Sequence, residues 1–119
     1  MTKEYKIEAT DSALVKEAAV DYGISRDEMA GLLGVSEKTY YNMMQKNHLD
    51  AERSDRFHFI QQILTSGEEA FGSKANLSKW LKTPQSTLDG YTPLNMMATI
   101  TGANRVLHVL GRIKHGITS

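Results

Sequence analysis

The chain contains no cysteine, only two prolines among its 119 residues, and no long apolar segment. The lack of cysteine excludes disulfide bonds and thiolate chemistry. A membrane-spanning helix needs roughly 18 successive apolar residues, and no part of this sequence approaches that length. The N-terminal sequence MTKEYKIEATD also lacks the apolar centre of a secretion signal. We therefore expect a cytoplasmic protein with no membrane partner.

The sequence also lacks the residue patterns of an enzyme. Its four histidines, His48, His58, His108 and His115, do not have the spacing of metal ligands. No mixed cluster of cysteine and histidine is available to bind zinc. We expect no catalytic residues, no metal and no cofactor.

The net charge is zero, but the charges are unevenly distributed. Residues 1–50 carry six Lys or Arg and nine Asp or Glu, whereas residues 51–119 carry eight and five. Affinity for DNA comes mainly from neutralising phosphates. A DNA-binding surface in the acidic first part would therefore need locally placed cations or two copies of the chain, and we expect a homodimer.

Residues 24–48, ISRDEMAGLLGVSEKTYYNMMQKNH, have the pattern of two short helices joined by a tight turn. The apolar positions within Met29–Leu33 share one helical face. Gly34 can adopt the left-handed conformation that ends the first helix, and Ser36 is a suitable N-cap for the second. This is the pattern of a helix-turn-helix that reads DNA.

The second of these helices is predicted over residues 37–46. Its exposed hydroxyl, amide and ammonium groups are suited to phosphates and base edges. The spacing of Tyr40, Met43 and Met44 favours Tyr40 inside and Tyr41 outside, although the opposite phase also fits. The candidate DNA-binding residues are Ser36, Lys38, Thr39, Tyr41, Asn42 and Lys46.

The rest of the sequence predicts further helices, so the expected fold is all-α, a helix-turn-helix bundle followed by a small helical domain. We expect Leu14 and Ala18 to face the core from a first helix capped by Asp11 or Ser12, with Val15 and Ala19 as further candidates for the same face. Other helices are expected over 51–71, 73–81 and 93–99, and from Thr101 or Gly102 to Gly116. The predicted organisation is a flexible N-terminus (1–10), a DNA-binding region (11–50), a connecting long helix (51–72) and a C-terminal domain (73–119).

The C-terminal part contains a specific order of residues. It comprises Ala70-Phe71-Gly72-Ser73, Trp80-Leu81-x-x-Pro84, Leu88-x-Gly90-x-x-Pro93-Leu94, Thr99-x-x-Gly102, Val106-x-x-x-Leu110 and Arg112-Ile113-x-x-Gly116. This order resembles the toxin-binding domain of the Xre/MbcA/ParS antitoxins, in which an Xre-like helix-turn-helix precedes the domain. Asn95 and Asn104 depart from the family, which often has acidic residues at these two places.

The resemblance implies a function and a set of partners. It implies that residues 73–119 bind a cognate toxin of RES or ParT type, which attacks or uses NAD, and occlude its active site. It also implies that an antitoxin dimer binds operator DNA and represses its own operon.

One side of the last predicted helix is basic. Arg105, His108 and Arg112 share this side by their spacing, which fits either a solvated face or a contact with an acidic or phosphate-binding mouth of a toxin. The candidate toxin-binding residues are Arg105, His108, Arg112, Lys114, His115 and Gly116.

Two other functions fit the sequence. The chain could be a stand-alone dimeric helix-turn-helix transcription regulator, whose C-terminal part binds itself or a small ligand. It could also be an adaptor between proteins, in which the acidic helix-turn-helix no longer binds DNA.

Overall fold

A computed structural model describes residues 2–5 and 8–116. This part of the chain folds into seven α-helices and one short 3-10 turn over Ser86–Leu88, so the all-α prediction is confirmed. The portions of the predicted N-terminal and C-terminal segments that fall on residues 1, 6, 7 and 117–119 lie outside the described residues. The helices are α1 (Ser12–Asp21), α2 (Arg26–Leu33), α3 (Glu37–Gln45), α4 (Ala51–Phe71), α5 (Lys74–Leu81), α6 (Pro93–Met96) and α7 (Ile100–Lys114).

The long helix α4 organises the core. It contacts α2, α5 and α7, and its buried side chains include Phe57, Ile60, Ile63 and Leu64. Because each large apolar side chain contributes about 1.5–3 kcal/mol when fully buried, this face of α4 is a main source of stability.

Two contacts bring α5 close to the end of α4. A Cβ atom added to Gly67 would lie 2.5 Å from Cδ1 of the fully buried Leu77, so only glycine allows this approach. The half-buried Trp80 packs on Phe71 with their ring centroids 5.1 Å apart. Trp80 therefore joins α5 to α4.

The predicted core face of α1 is wrong in part. Leu14 is 46% exposed, whereas Val15 and Ala18 are buried. Helix α1 has apolar residues at neighbouring positions, so several helical phases fit the sequence. Packing of α1 against α3 selects the phase in which Val15 rather than Leu14 is buried.

The corner between α6 and α7 also differs from the prediction. Helix α6 ends at Met96 rather than Thr99, and α7 begins at Ile100 because the Thr99 side chain caps it by accepting a hydrogen bond from Gly102 N. A Cβ atom on Gly102 would clash with the Met96 carbonyl oxygen. The corner is tight because residue 102 has no side chain.

The chain entering α1 is fixed to the chain entering α4. Thr10 N donates a hydrogen bond to Ser54 Oγ at 2.8 Å, and Leu49 N donates one to the Thr10 carbonyl at 2.9 Å. Asp11 and His48 form an isolated antiparallel bridge. The segment just before α1 therefore lies against the segment that leads into α4, which brings together the two ends of the α1–α3 unit.

Three cationic side chains, here called the tethers, connect the acidic and basic parts of the chain. They are Arg56, Lys74 and Lys82. Arg56 donates to the Leu32 carbonyl at 2.9 Å and also to the Ala98 carbonyl. Lys82 donates to the Gly23 carbonyl and lies 3.6 Å from the Glu28 carboxylate. Part of the basic charge of the second half is thus used within the molecule.

Lys74 is the tether that lies beside Tyr22 at the end of α1. Its ammonium pairs with Glu68 at 3.2 Å and lies 5.8 Å from the centre of the Tyr22 ring. The Tyr22 hydroxyl donates to the same Glu68 carboxylate at 2.9 Å. Burial, together with the hydrogen bond and charge of Glu68, raises the pKa of Tyr22 to about 12.

Candidate DNA-reading and partner-binding surfaces

The α2–turn–α3 segment is held by side-chain caps at both of its helix starts. Ser25 Oγ accepts a hydrogen bond from Glu28 N, and the Glu28 side chain accepts one from Ser25 N, so together they form a capping box. Gly34 ends α2 with φ of 73°, as predicted, and Ser36 caps α3 by accepting from Thr39 N at 3.1 Å. The sequence analysis missed the capping box, although the Ser25-x-x-Glu28 spacing signals it.

Helix α3 buries one side and presents the other to solvent. Tyr40 and Met44 are buried and Tyr41 is 60% exposed, so the favoured phase of the two tyrosines is confirmed. All the candidate DNA-binding residues, namely Ser36, Lys38, Thr39, Tyr41, Asn42 and Lys46, are exposed. Because the hydroxyls of Ser36 and Thr39 also bond to each other at 3.1 Å, Lys38 and Asn42 are freer to contact a ligand.

A groove between α1 and α3 continues this exposed surface. Tyr41 and Gln45 line one side, and Lys16 and Val20 of α1 lie among the residues opposite. Arg26, at the start of α2, also lines the groove, and none of the described residues that line it carries a carboxylate. The sequence analysis missed Lys16 and Arg26 because they lie far from α3 in the sequence. They add two positive charges beside α3 in an otherwise acidic region.

The candidate residues on α7 fall into two groups. Arg105 pairs with Asp89 at 3.0 Å and donates to the Thr87 carbonyl, while Lys114 pairs with Glu69 at 2.8 Å. These two cations therefore fix α7 to neighbouring parts of the chain. They do not line the groove on the outer side of the helix.

The outer side of α7 brings the remaining candidates together. His108, Arg112, His115 and Gly116 line one shallow groove with Asn104, Leu107 and Gly111. Within residues 2–5 and 8–116, no carboxylate lines this groove and Arg112 forms no ion pair. This outer face of α7 is exposed, basic and available to a partner.

Comparison with known proteins identifies the region that contains this face. The family model described as antitoxin Xre/MbcA/ParS C-terminal toxin-binding domain matches residues 66–116. The chain is thus similar to the Xre/MbcA/ParS antitoxin family over residues 66–116, which make up less than half of its length. The resemblance predicted from the order of residues is thereby confirmed. The matched region begins in the last turns of α4 and includes α5, α6 and α7.

Curated relatives of this chain bear the name Antitoxin Xre. The chain is 28% identical over 96 residues to the protein of Photorhabdus laumondii, covering 79% of this chain and 65% of the relative. It is 27% identical over 109 residues to the protein of Pseudomonas putida, covering 91% and 65%. For the Yersinia enterocolitica protein the identity is 30% over 69 residues, covering 57% and 47%. The chain thus spans less than two thirds of each of these relatives.

No helix among the described residues of this chain combines the length and the apolar character that a membrane crossing requires.

Proposed function

We propose that this chain is an antitoxin that binds a cognate toxin through its C-terminal part and has no catalytic role of its own. The observation that carries the proposal is the match of residues 66–116 to a toxin-binding domain. All six candidate toxin-binding residues of α7 and its C-terminal end, 105–116, fall within that match. The name of the curated relatives, Antitoxin Xre, supports the same function.

The proposed toxin is of RES or ParT type and uses NAD. The antitoxin presents the exposed basic face of α7 to it and keeps NAD out of its active site. The Arg112 guanidinium can pair with a carboxylate through two parallel hydrogen bonds. Opposite charges on the two surfaces speed encounter and select the partner.

Co-expression tests this part of the proposal. The chain is produced together with the protein encoded by the adjacent reading frame, and the complex is isolated by size-exclusion chromatography. NAD consumption by that protein is then measured with and without the chain. A stable complex in which NAD consumption is suppressed is expected. If the two proteins elute separately and NAD consumption is unchanged, the antitoxin proposal is wrong.

We also propose that α3 binds operator DNA and that the chain thereby represses its own operon in the cytoplasm. Positive charge is available where α3 contacts DNA phosphates. It comes from Lys38 and Lys46 in the α3 region and from Lys16 and Arg26 beside it. The acidic balance of residues 1–50 makes a single copy a weak binder. A homodimer contacting half-sites about 34 Å apart combines two modest footprints.

Gel-shift titrations with the promoter region test DNA binding. They are carried out at several salt concentrations, with the chain alone and with its toxin complex. Binding that weakens steeply with salt and protects two half-sites is expected. Equal affinity for the promoter and for unrelated DNA would contradict a reading role for α3.

The second candidate function is a stand-alone dimeric transcription regulator. The exposed α3 surface and the groove beside it favour this candidate, because neither depends on a toxin. The two functions differ in the co-expression experiment, since a stand-alone regulator binds the promoter but not the neighbouring protein.

A further inference from the structure

Residues 66–116 contain three glycines inside helices, and packing within the molecule explains only two of them. Gly67 makes room for Leu77, and Gly102 makes room for the Met96 carbonyl oxygen. Around Gly111, a Cβ atom would meet nothing within 4 Å. Glycine is the least favourable residue after proline in a helix interior. Gly111 therefore weakens α7 without allowing any closer packing among the residues that the structure describes.

The position of Gly111 in α7 also excludes a role in ending the helix. Gly111 lies inside α7, which continues to Lys114 and is capped by His115. The position is central to the groove on the outer face of α7, between Leu107 and His108 on one side and Arg112 and His115 on the other. The missing side chain leaves a notch in this face.

The side chains around the notch define the chemistry of what enters it. His108, Arg112 and His115 present nitrogen donors or positive charge, and none of the groove-lining residues among 8–116 carries a carboxylate. Arg105 and Lys114, the other cations of α7, are paired within the chain, so Arg112 is the permanent charge left for a partner. Leu107 adds a half-buried apolar edge. The notch therefore suits a partner segment that places its backbone or a small side chain against Gly111 and a carboxylate beside Arg112.

We propose that Gly111 is the point of closest approach of the partner toxin to α7, and that an acidic segment of the toxin crosses the helix there with a carboxylate paired to Arg112. This inference rests on the proposed antitoxin function and specifies its contact. An acidic protein segment is favoured over nucleic acid because the face offers a single permanent positive charge next to an apolar edge.

The substitution Gly111→Ala separates stability from binding. Alanine fits the open space and favours the helix, so the melting temperature of the free chain is expected to rise by about 4 °C. The added methyl group fills the notch, so affinity for the protein of the adjacent reading frame is expected to fall at least tenfold. Opposite changes in stability and affinity are the signature of a glycine kept for a partner.

Gly31→Ala is the matched control. Gly31 also lies inside a helix, α2, with nothing within 4 Å of an added Cβ atom. It lies outside the residues of the α7 groove. A similar rise in melting temperature with unchanged affinity for the same protein is expected. Arg112→Gln, added as a second variant, should lower the affinity and reduce its dependence on salt.

The possible outcomes distinguish this inference from the proposed function. Wild-type affinity in Gly111→Ala would overturn the inference and leave the antitoxin function standing, whereas failure of the wild-type chain to bind would overturn both. A lower melting temperature in Gly111→Ala would reveal an internal role for Gly111 and overturn the inference. If Gly111→Ala changes the oligomeric mass of the free chain, measured by light scattering, the notch is a contact with a second copy of the chain. That outcome would also overturn the inference.

Discussion

Lys82 of the C-terminal part contacts Glu28 of α2, with its ammonium nitrogen 3.6 Å from the Glu28 carboxylate. The same ammonium donates to the Gly23 carbonyl, just before α2 begins. Glu28 is itself half of the capping box that starts α2. One surface lysine thus holds the loop and the first turn of α2 against the C-terminal part.

Replacing this lysine tests the tether. Lys82→Met keeps the apolar length of the side chain but removes the hydrogen bond and the ion pair, which are partly exposed to solvent. The free energy of unfolding is expected to fall by about 1 kcal/mol, as measured by urea denaturation. Lys79→Met is the control, because Lys79 is exposed and forms no ion pair in residues 2–5 and 8–116. Equal losses in the two variants would show that Lys82 does not act as a tether.

The Glu28 carboxylate should make the fold sensitive to acid. Burial acts to raise its pKa, but hydrogen bonds from Ser25 and the charge of Lys82 lower the pKa below the usual 4.5. A lowered pKa stabilises the folded state above pH 4.5, and this contribution is lost as the pH falls through the folded-state value. In Glu28→Gln the free energy of unfolding should therefore depend less on pH below pH 4.5.

Glu17→Gln is the control for the acid experiment, since Glu17 is exposed and has no ion pair within the described structure. Urea denaturation at pH 7, 4.5 and 3.5 compares the three proteins. Glutamine can still accept the Ser25 hydrogen bond at this capping-box position, so the comparison isolates the charge. Parallel pH dependences for all three would contradict the role of Glu28.

Lys38 tests the DNA-binding proposal for α3. Lys38→Ala should weaken promoter binding and reduce the slope of log K against log salt by about 0.9, which corresponds to one phosphate contact. Lys79→Ala removes the same charge from α5 and serves as the control. Fluorescence anisotropy at four salt concentrations measures both slopes. A slope unchanged from wild type in Lys38→Ala would remove Lys38 from the candidate surface.

The two arginines of α7 should behave differently. Arg105 bonds to Asp89 and to the Thr87 carbonyl, so Arg105→Gln should lower the free energy of unfolding by about 0.5–1 kcal/mol. Among the described residues Arg112 forms no ion pair, so Arg112→Gln should leave stability nearly unchanged but lower the affinity for the proposed toxin. Denaturation and calorimetric titration are measured on both variants. Equal loss of toxin affinity in the two would contradict the division of α7 into a fixing side and a binding side.

Local signals predicted most of the helices. Gly34 and Ser36 end and begin helices by backbone conformation and hydrogen bonding, which depend on near neighbours only. Thr92 and Pro93 likewise begin α6. The core face of α1 was less predictable, because Leu14 and Val15 are adjacent and equally apolar. Contact with α3 decides between them, and that contact involves residues distant in the sequence.

The candidate surfaces were predictable as helix faces but not in their internal pairing. Helical spacing places Arg105 and Arg112 on the same side of α7. Only the loop that carries Asp89, which pairs with Arg105, distinguishes them. Lys16 and Arg26 reach the α3 surface through packing of three helices, which no local pattern encodes. The open space around Gly111 depends on how α7 packs, so the sequence alone could not predict it.

The tethers have a consequence for engineering. Arg56 and Lys82 contact carbonyl oxygens at the two ends of α2, and Lys74 contacts the Tyr22 ring at the end of α1. A chimera that grafts residues 11–50 of a relative onto this C-terminal part would have to keep Tyr22 and Glu28 as matching contacts. For relatives that lack them, this junction has to be redesigned before the two parts of the chain are exchanged.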